Sequence, residues 1–254
     1  MILVTGATGT IGSALVEVLA AAGEPVRAMT RRSAAFPTGV EVVHGDYADV
    51  ESLRAATKGV DAAFLLDAAG PDAPAHDLAM LAAAADVPRI VKLSAFGIDH
   101  GLAPWHEPGE AAVQAGEWEW TILRPSMFAS NALWWLPQIR AGEPIPNPTG
   151  DGGLGVIDPR DIAEVAAAAL TRHVPGIRTL TGPETLTTPE QVEILAEVLG
   201  RPLTVADVDA PEPGYAYVRA GRGAVVTDEV PNVLGRPART FREWALDHVA
   251  TLGG

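Results

Sequence analysis

Three glycines near the start of the chain carry its first recognisable chemistry. The run Thr5-Gly6-Ala7-Thr8-Gly9-Thr10-Ile11-Gly12 lies between the apolar stretch 2–5 and an amphipathic stretch 11–22. A strand that turns through glycines into a helix makes an anion cradle. Gly6 permits the tight turn, Gly9 lets the backbone approach a pyrophosphate, and Gly12 lets the helix pack closely on the strand. Thr8, Thr10 and Ile11 complete the set of candidate phosphate contacts, because the helix N-terminus offers free N–H groups and partial positive charge. A glycine turn without a ligand is the alternative. The motif's position after an apolar strand favours a dinucleotide.

The second apolar stretch ends at Thr30-Arg31-Arg32, and no acidic residue follows until Glu41. A ribose 2′-hydroxyl is held by a carboxylate at this point, whereas a 2′-phosphate needs a guanidinium. Arg31, then Arg32, are therefore candidates for the 2′-phosphate of NADP(H), against a reading as two solvated loop arginines. Gly45-Asp46-Tyr47 follows the third stretch. There the Asp46 carboxylate or the Tyr47 backbone is placed to meet an adenine, and Asp46 equally suits a turn into a helix.

These residues need a scaffold, and the hydrophobic pattern supplies one. Strands are predicted at 2–5, 25–30, 40–46, 61–66, 89–94 and 120–125, with helices at 11–22, 50–57, 74–85 and 108–116 between them. This alternation predicts an α/β fold, a Rossmann doubly wound parallel sheet with a small C-terminal substrate-side lobe. One domain over 1–254 is expected, its lobe built mainly from 127–158 and 179–240. Within the second half, helices are predicted at 127–140, after Asp158, at 189–199 and at 241–250. Strands are predicted at 179–184 and 203–208, and 144–155 reads as a Pro/Gly-rich connection.

Composition narrows the partners. The formal net charge is −14, so a nucleic-acid surface is not expected. There is no cysteine, hence no disulfide or thiolate chemistry, and no metal-ligand spacing stands out. No apolar run is long enough to cross a membrane, and a cytoplasmic protein with a small-molecule substrate is expected. The scarcity of lysine beside abundant Ala, Gly and Pro is of a GC-rich bacterial kind. Oligomeric state is not legible.

TGATGTIG, the Arg31-Arg32 pair, GDYAD, VKLSAFG, EAAVQAGEWEWTILRPSMFASN, DPRDIAEVAAAAL, LTGPETLT and FREWA together resemble the NmrA-like atypical short-chain dehydrogenase/reductases over nearly the whole chain. That family includes NADP(H)-dependent reductases of quinones, dyes and plant phenolics, and sensors that bind the cofactor without turning it over. The resemblance implies that Ser94 lies beside the nicotinamide and that Leu66, Asp67 and Ala68 lie near the cofactor ribose. It implies that Pro125, Ser126, Met127 and Phe128 line the amide side and face of the nicotinamide. Met127 and Phe128 suit either substrate contact or ordinary core packing. The stretch 208–221 is shorter than the helix-containing segment of many relatives, which implies a more open pocket.

Most enzymes of the wider superfamily use a Tyr-x-x-x-Lys pair, whose tyrosine protonates the reduced carbonyl. The only tyrosines here are Tyr47, Tyr215 and Tyr217, and the only lysines are Lys58 and Lys92, none of them in the 105–116 segment. His106 and Glu110 have the same spacing, and on a helix they share a face. They are candidates for acid catalysis with Ser94. Pro108 prefers a first helical turn, so His106 also suits a loop and Glu110 a helix N-terminus. Asp158 and Asp161 read as an acid/base pair or, for Asp161, as a helix cap. Trp134 and Trp135 read as a roof over an aromatic substrate or as core. The expected function is NADPH-dependent reduction of a conjugated or aromatic small molecule of quinone, enone or imine type. The alternatives are a non-catalytic NADP(H) sensor and a redox-neutral biosynthetic enzyme.

Overall fold

The computed structural model describes residues 1–67, 70 and 72–253. The chain divides into two compact units, one of residues 1–125 and 162–179, the other of 126–161 and 180–254.

The first unit is a layered α/β structure. Strands β1 (Ile2–Val4), β2 (Val26–Thr30), β3 (Glu41–His44), β4 (Ala62–Leu65), β5 (Arg89–Leu93), β6 (Glu119–Pro125) and β8 (Gly176–Leu180) form a sheet in the order β3-β2-β1-β4-β5-β6-β8. The pairs from β3 through β6 are parallel. Chain order reverses between β1 and β4, which is the switch point where such sheets bind ligands at their carboxyl ends. The central strands are buried on both faces and read as unbroken apolar runs. Edge strand β3 is mostly exposed.

Helix α1 (Thr10–Ala21) buries Ile11, Leu15, Val16 and Leu19, one stripe at helical spacing. Asp49 caps α2 (Val50–Thr57) by accepting from the Glu51 and Ser52 N–H groups. Helices α3 (Ala73–Ala83) and α4 (Glu107–Ala115) complete the layer before β6. Leu3, Leu53, Leu65, Met80, Ile90, Val113 and Ile122 form the core of this unit.

The second unit has its own core around Ile139, Val156, Leu195, Phe241 and Trp244. The helix predicted over 127–140 is instead a 3₁₀ segment, Ala129–Trp135, followed by α5 (Leu136–Ala141). Pro137 sits in the first turn of α5, where its ring and missing N–H forbid continuation from the preceding turn. The Pro/Gly-rich connection contains β7 (Ile145–Asn147), which pairs in parallel with β9 (Val205–Asp207). Helix α6 (Pro159–Thr171) leads back into the first unit, and β8 starts earlier than the predicted 179–184.

Helix α7 (Thr188–Leu199) opens on a Thr187/Glu190 capping box. The short 208–221 stretch contains a helix after all, α8 (Pro213–Arg219), and α9 (Glu229–Leu234) follows. The last predicted helix is two, α10 (Phe241–Asp247) and α11 (Val249–Leu252). The break falls at His248, whose ring Nδ1 lies 2.7 Å from the Trp244 carbonyl and takes the acceptor a continuing helix would use.

Candidate active site

The glycine loop leaves the N-terminus of α1 open. Gly6 adopts φ +59°, the left-handed region, and a Cβ there would touch Leu66 at 3.0 Å. A Cβ on Gly12 would come 2.1 Å from the Gly6 carbonyl, so the fold itself requires glycine. Gly9 is different: its Cβ would meet only the Gly6 carbonyl, at 3.3 Å. The fold does not demand that glycine, and the space it leaves is on the exposed side of the loop, with Thr8 and Thr10. Gly9 is the N-cap of α1 with no side-chain cap, and the first turn holds no acidic residue. This is an anion cradle that a side chain would fill, and it fits a pyrophosphate.

Arg31 and Arg32 follow β2 and are exposed. Neither has a carboxylate partner among the described residues, although Arg31 lies within electrostatic reach of the Tyr47 hydroxyl. Glu41, the next acidic residue, is spent on Arg27 through contacts of 2.9 and 3.2 Å. No acid therefore stands ready for a 2′-hydroxyl there. Asp46 Oδ1 accepts from Ala48 N at 2.9 Å, the geometry of a turn residue.

The Tyr47 phenol turns inward. It donates to the Leu66 carbonyl at 3.2 Å, and its ring stacks on His76 at 4.6 Å. Burial is the main cause that raises its pKa. Leu66 N is held by Thr5 Oγ1 at 2.8 Å. Asp67 Oδ2 lies 2.5 Å from His76 Nδ1. Ala68 lies outside the described residues.

At the carboxyl ends of β5 and β6, Ser94 and Glu110 do come together. Ser94 Oγ donates to Glu110 Oε1. Arg124 grips the same carboxylate, Nε to Oε1 at 3.0 Å and Nη2 to Oε2 at 2.6 Å. Arg124 was not singled out from sequence, where it lay inside a predicted strand. Its Nη1 also donates to Asp99 Oδ2 at 2.5 Å. These bonds raise the Arg124 pKa further, the Glu110 bond most.

The expected His106–Glu110 pairing is not made, because both Glu110 oxygens serve Ser94 and Arg124. His106 ends a 3₁₀ turn, Pro104–His106, and occupies the N-cap position of α4 without a side-chain capping bond. It is buried, and its Nδ1 has no hydrogen-bond partner. Burial, then the Lys92 ammonium, lowers its pKa to about 4, against opposing pulls from Glu110 and Asp67. Burial and the nearby ammonium thus favour the neutral imidazole at neutral pH.

In the second unit, the Ser126 hydroxyl is buried without a partner. Met127 and Trp135 pack half-buried against that unit's core, whereas Trp134 is 74% exposed. Phe128 forms a backbone bridge with Ile157. Asp158 and Asp161 are fully buried and held by arginines. Asp158 accepts from Arg160 Nη2 at 2.6 Å, and Asp161 from Arg236 Nη2 and Arg239 N, each at 2.7 Å.

Among the described residues no group of side chains suits a metal ion, and no helix is long and apolar enough to cross a membrane.

Residues 6–173 match the family model described as NAD(P)H-binding. A (4-alkanoyl-5-oxo-2,5-dihydrofuran-3-yl)methyl phosphate reductase from Streptomyces griseus is 39% identical, covering 98% of each chain. An NAD(P)H azoreductase from Xenophilus azovorans is 34% identical over 100% of this chain and 99% of its own. An NADPH-dependent quinone oxidoreductase from Escherichia coli, crystallised with NADPH, has the same fold. Its TM-score is 0.85 at 22% identity, covering 98% of this chain and 100% of that one. The chain belongs to the NAD(P)H-binding family of atypical, NmrA-like short-chain dehydrogenase/reductases and is an NAD(P)H-dependent oxidoreductase.

Proposed function

We propose that this chain is an NADPH-dependent reductase of small conjugated electrophiles, with α,β-unsaturated carbonyl compounds as the leading class. One observation carries the reading: at the carboxyl ends of β5 and β6 the three acids singled out from the sequence, Ser94, Glu110 and His106, are engaged or uncharged. Ser94 donates its hydrogen bond to Glu110, Glu110 is clamped by Arg124, and burial favours the neutral form of His106. The phenol of Tyr47 is committed to the Leu66 carbonyl.

Bound NADPH supplies a hydride. A simple ketone that accepts one develops a localised alkoxide and needs an acid at hand. A conjugated acceptor spreads the charge over its own π system and can take its proton from water.

The relatives' names are consistent with this requirement. The dihydrofuran named in the Streptomyces relative has a ring double bond conjugated to both the oxo and the alkanoyl groups. An azo group likewise accepts electrons into a conjugated system. On this reading the glycine loop holds the pyrophosphate, Arg31 and Arg32 hold the 2′-phosphate, Asp67 and the Leu66 backbone lie along the ribose, and Pro125 lies beside the nicotinamide.

The test is NADPH oxidation with matched acceptors: an α-acylbutenolide, a quinone, an azo dye, and saturated ketones of similar size. Turnover confined to the conjugated acceptors supports the proposal. Comparable rates with a saturated ketone would show that an acid is available after all.

A further inference from the structure

Ser94 follows β5 directly, and its Oγ donates to Glu110 Oε1. Ser94 is 4% exposed and Glu110 3%. Arg124 meets Glu110 with two parallel N–H donors, at 3.0 and 2.6 Å, and turns its remaining edge to Asp99 at 2.5 Å. A two-point guanidinium contact of this kind matches a carboxylate, with both oxygens accepting. A serine hydroxyl has one proton and two lone pairs. Here the proton is committed to Glu110, so only lone pairs remain to face a ligand.

We infer that Glu110 and Arg124 fix Ser94 as a hydrogen-bond acceptor, which reads an N–H or O–H donor of the nicotinamide riboside and does not protonate substrate. The inference rests on the reading of the chain as an NADPH reductase. Placement follows from topology. The adenosine half of a dinucleotide belongs to the β2–β3 side of the switch point, where Arg31 and Arg32 lie, and the other half to the β4–β5–β6 side. The donors on that half are the carboxamide NH₂ and the ribose hydroxyls. A substrate oxygen gaining negative charge is an acceptor, and a lone pair of Ser94 would repel it. Ser94 is thus a binding residue, and Glu110 and Arg124 are positioning residues that set its polarity.

The experiment is calorimetric titration of NADPH, its 3-acetylpyridine analogue and adenosine 2′,5′-bisphosphate. The proteins are wild type, Ser94→Ala, Ser94→Thr and Glu110→Gln. Ser94→Ala is expected to weaken NADPH about three- to tenfold, the worth of one neutral hydrogen bond. Ser94→Thr keeps the affinity. The bisphosphate, which reaches only the adenosine half, binds all four proteins equally. Glu110→Gln weakens NADPH no more than Ser94→Ala does, because its amide oxygen can still accept from Ser94 while its N–H donors face Arg124.

The analogue lacks the carboxamide N–H. If Ser94→Ala leaves its affinity unchanged, the donor is the carboxamide; if the loss persists, the donor is a ribose hydroxyl. Either result supports the inference. Unchanged NADPH affinity with reduced turnover in Ser94→Ala would make the serine a donor to substrate and overturn it, while the reductase reading stands. A matching loss for the bisphosphate would mark Ser94 as merely structural and overturn it too. Wild-type protein that binds NADPH yet reduces no acceptor would instead sink the reductase reading.

Discussion

Lys92 Nζ donates to Asp77 Oδ2 at 2.6 Å, and both side chains are buried, at 1% and 3% exposure. The lysine comes from β5 and the aspartate from α3. Helix α4 crosses them at Gly109, where a Cβ would lie 2.3 Å from Asp77 Oδ2 and 2.7 Å from Lys92 Cε. Glycine at 109 is what allows the helix to lie over a buried ion pair. The only lysine near the candidate site is thereby occupied and unavailable as the partner of a catalytic tyrosine.

Breaking this pair from one side strands a buried charge. Asp77→Leu is expected to cost about 3–5 kcal/mol, and Asp77→Leu with Lys92→Met to recover most of that loss. Urea unfolding of the single and double variants measures the difference. Burial already raises the Asp77 pKa, with Lys92 pulling the other way, so the pairing is what offsets the cost of burying the two groups. A single variant as stable as wild type would show that the pair is solvated.

Cofactor choice follows from the free guanidiniums. NADPH is expected to bind more tightly than NADH, and Arg31→Ala to lower the NADPH affinity about tenfold or more while leaving NADH nearly unchanged. Arg32→Ala ranks the second arginine against the first. Equal wild-type affinities for the two cofactors, by calorimetry, would contradict the assignment.

The glycine loop gives a paired prediction, since Gly9 and Gly12 serve different ends. Gly9→Val places a branched side chain in the open cradle and is expected to abolish NADPH binding with a native far-ultraviolet spectrum. Gly12→Ala forces a Cβ toward the Gly6 carbonyl, 2.1 Å away, and is expected to destabilise the fold itself. Thermal melts with and without NADPH separate the two effects. Wild-type affinity in Gly9→Val would place the phosphates elsewhere.

Much of this was legible because it is local. A glycine triplet after a buried strand and the alternation of apolar runs with helical stripes depend on neighbours in the chain. So does the absence of an acid between Arg32 and Glu41. What escaped the sequence depends on contacts between distant residues. Arg124 sits in the middle of an apolar strand pattern, and nothing local says that it clamps Glu110, fourteen residues back. The His106–Glu110 spacing suits one helical face, but His106 stands at the N-cap before α4, and spacing does not reveal a competitor for the carboxylate. Asp161 resembled a cap or a catalyst because its arginines arrive some seventy-five residues later. The short parallel pair β7–β9 was hidden for the same reason: Ile145-Pro146-Asn147 becomes a strand only where Val205-Ala206-Asp207 meets it.

His106 supplies a pH signature. Its pKa falls from the ordinary 6.5 to about 4 in the folded chain, mainly by burial. The unfolded chain therefore binds a proton that the folded chain refuses between those two values. The stability contribution is complete above about pH 6.5 and is lost as pH falls toward 4. Each pKa unit corresponds to about 1.4 kcal/mol, so acidification from pH 6.5 to 5 is expected to cost at most about 1.6 kcal/mol from this residue alone. In His106→Phe that part of the acid limb should disappear, which urea midpoints from pH 4.5 to 7.5 would register. The same neutrality bears on catalysis. An acid that is uncharged at pH 7 gives no alkaline limb near neutrality, and His106→Ala should lower turnover less than about tenfold, below the usual range of general acid catalysis. A hundredfold loss, with an alkaline limb near pH 7 that vanishes in the variant, would mean that bound NADPH restores the histidine's charge and that the proton comes from His106.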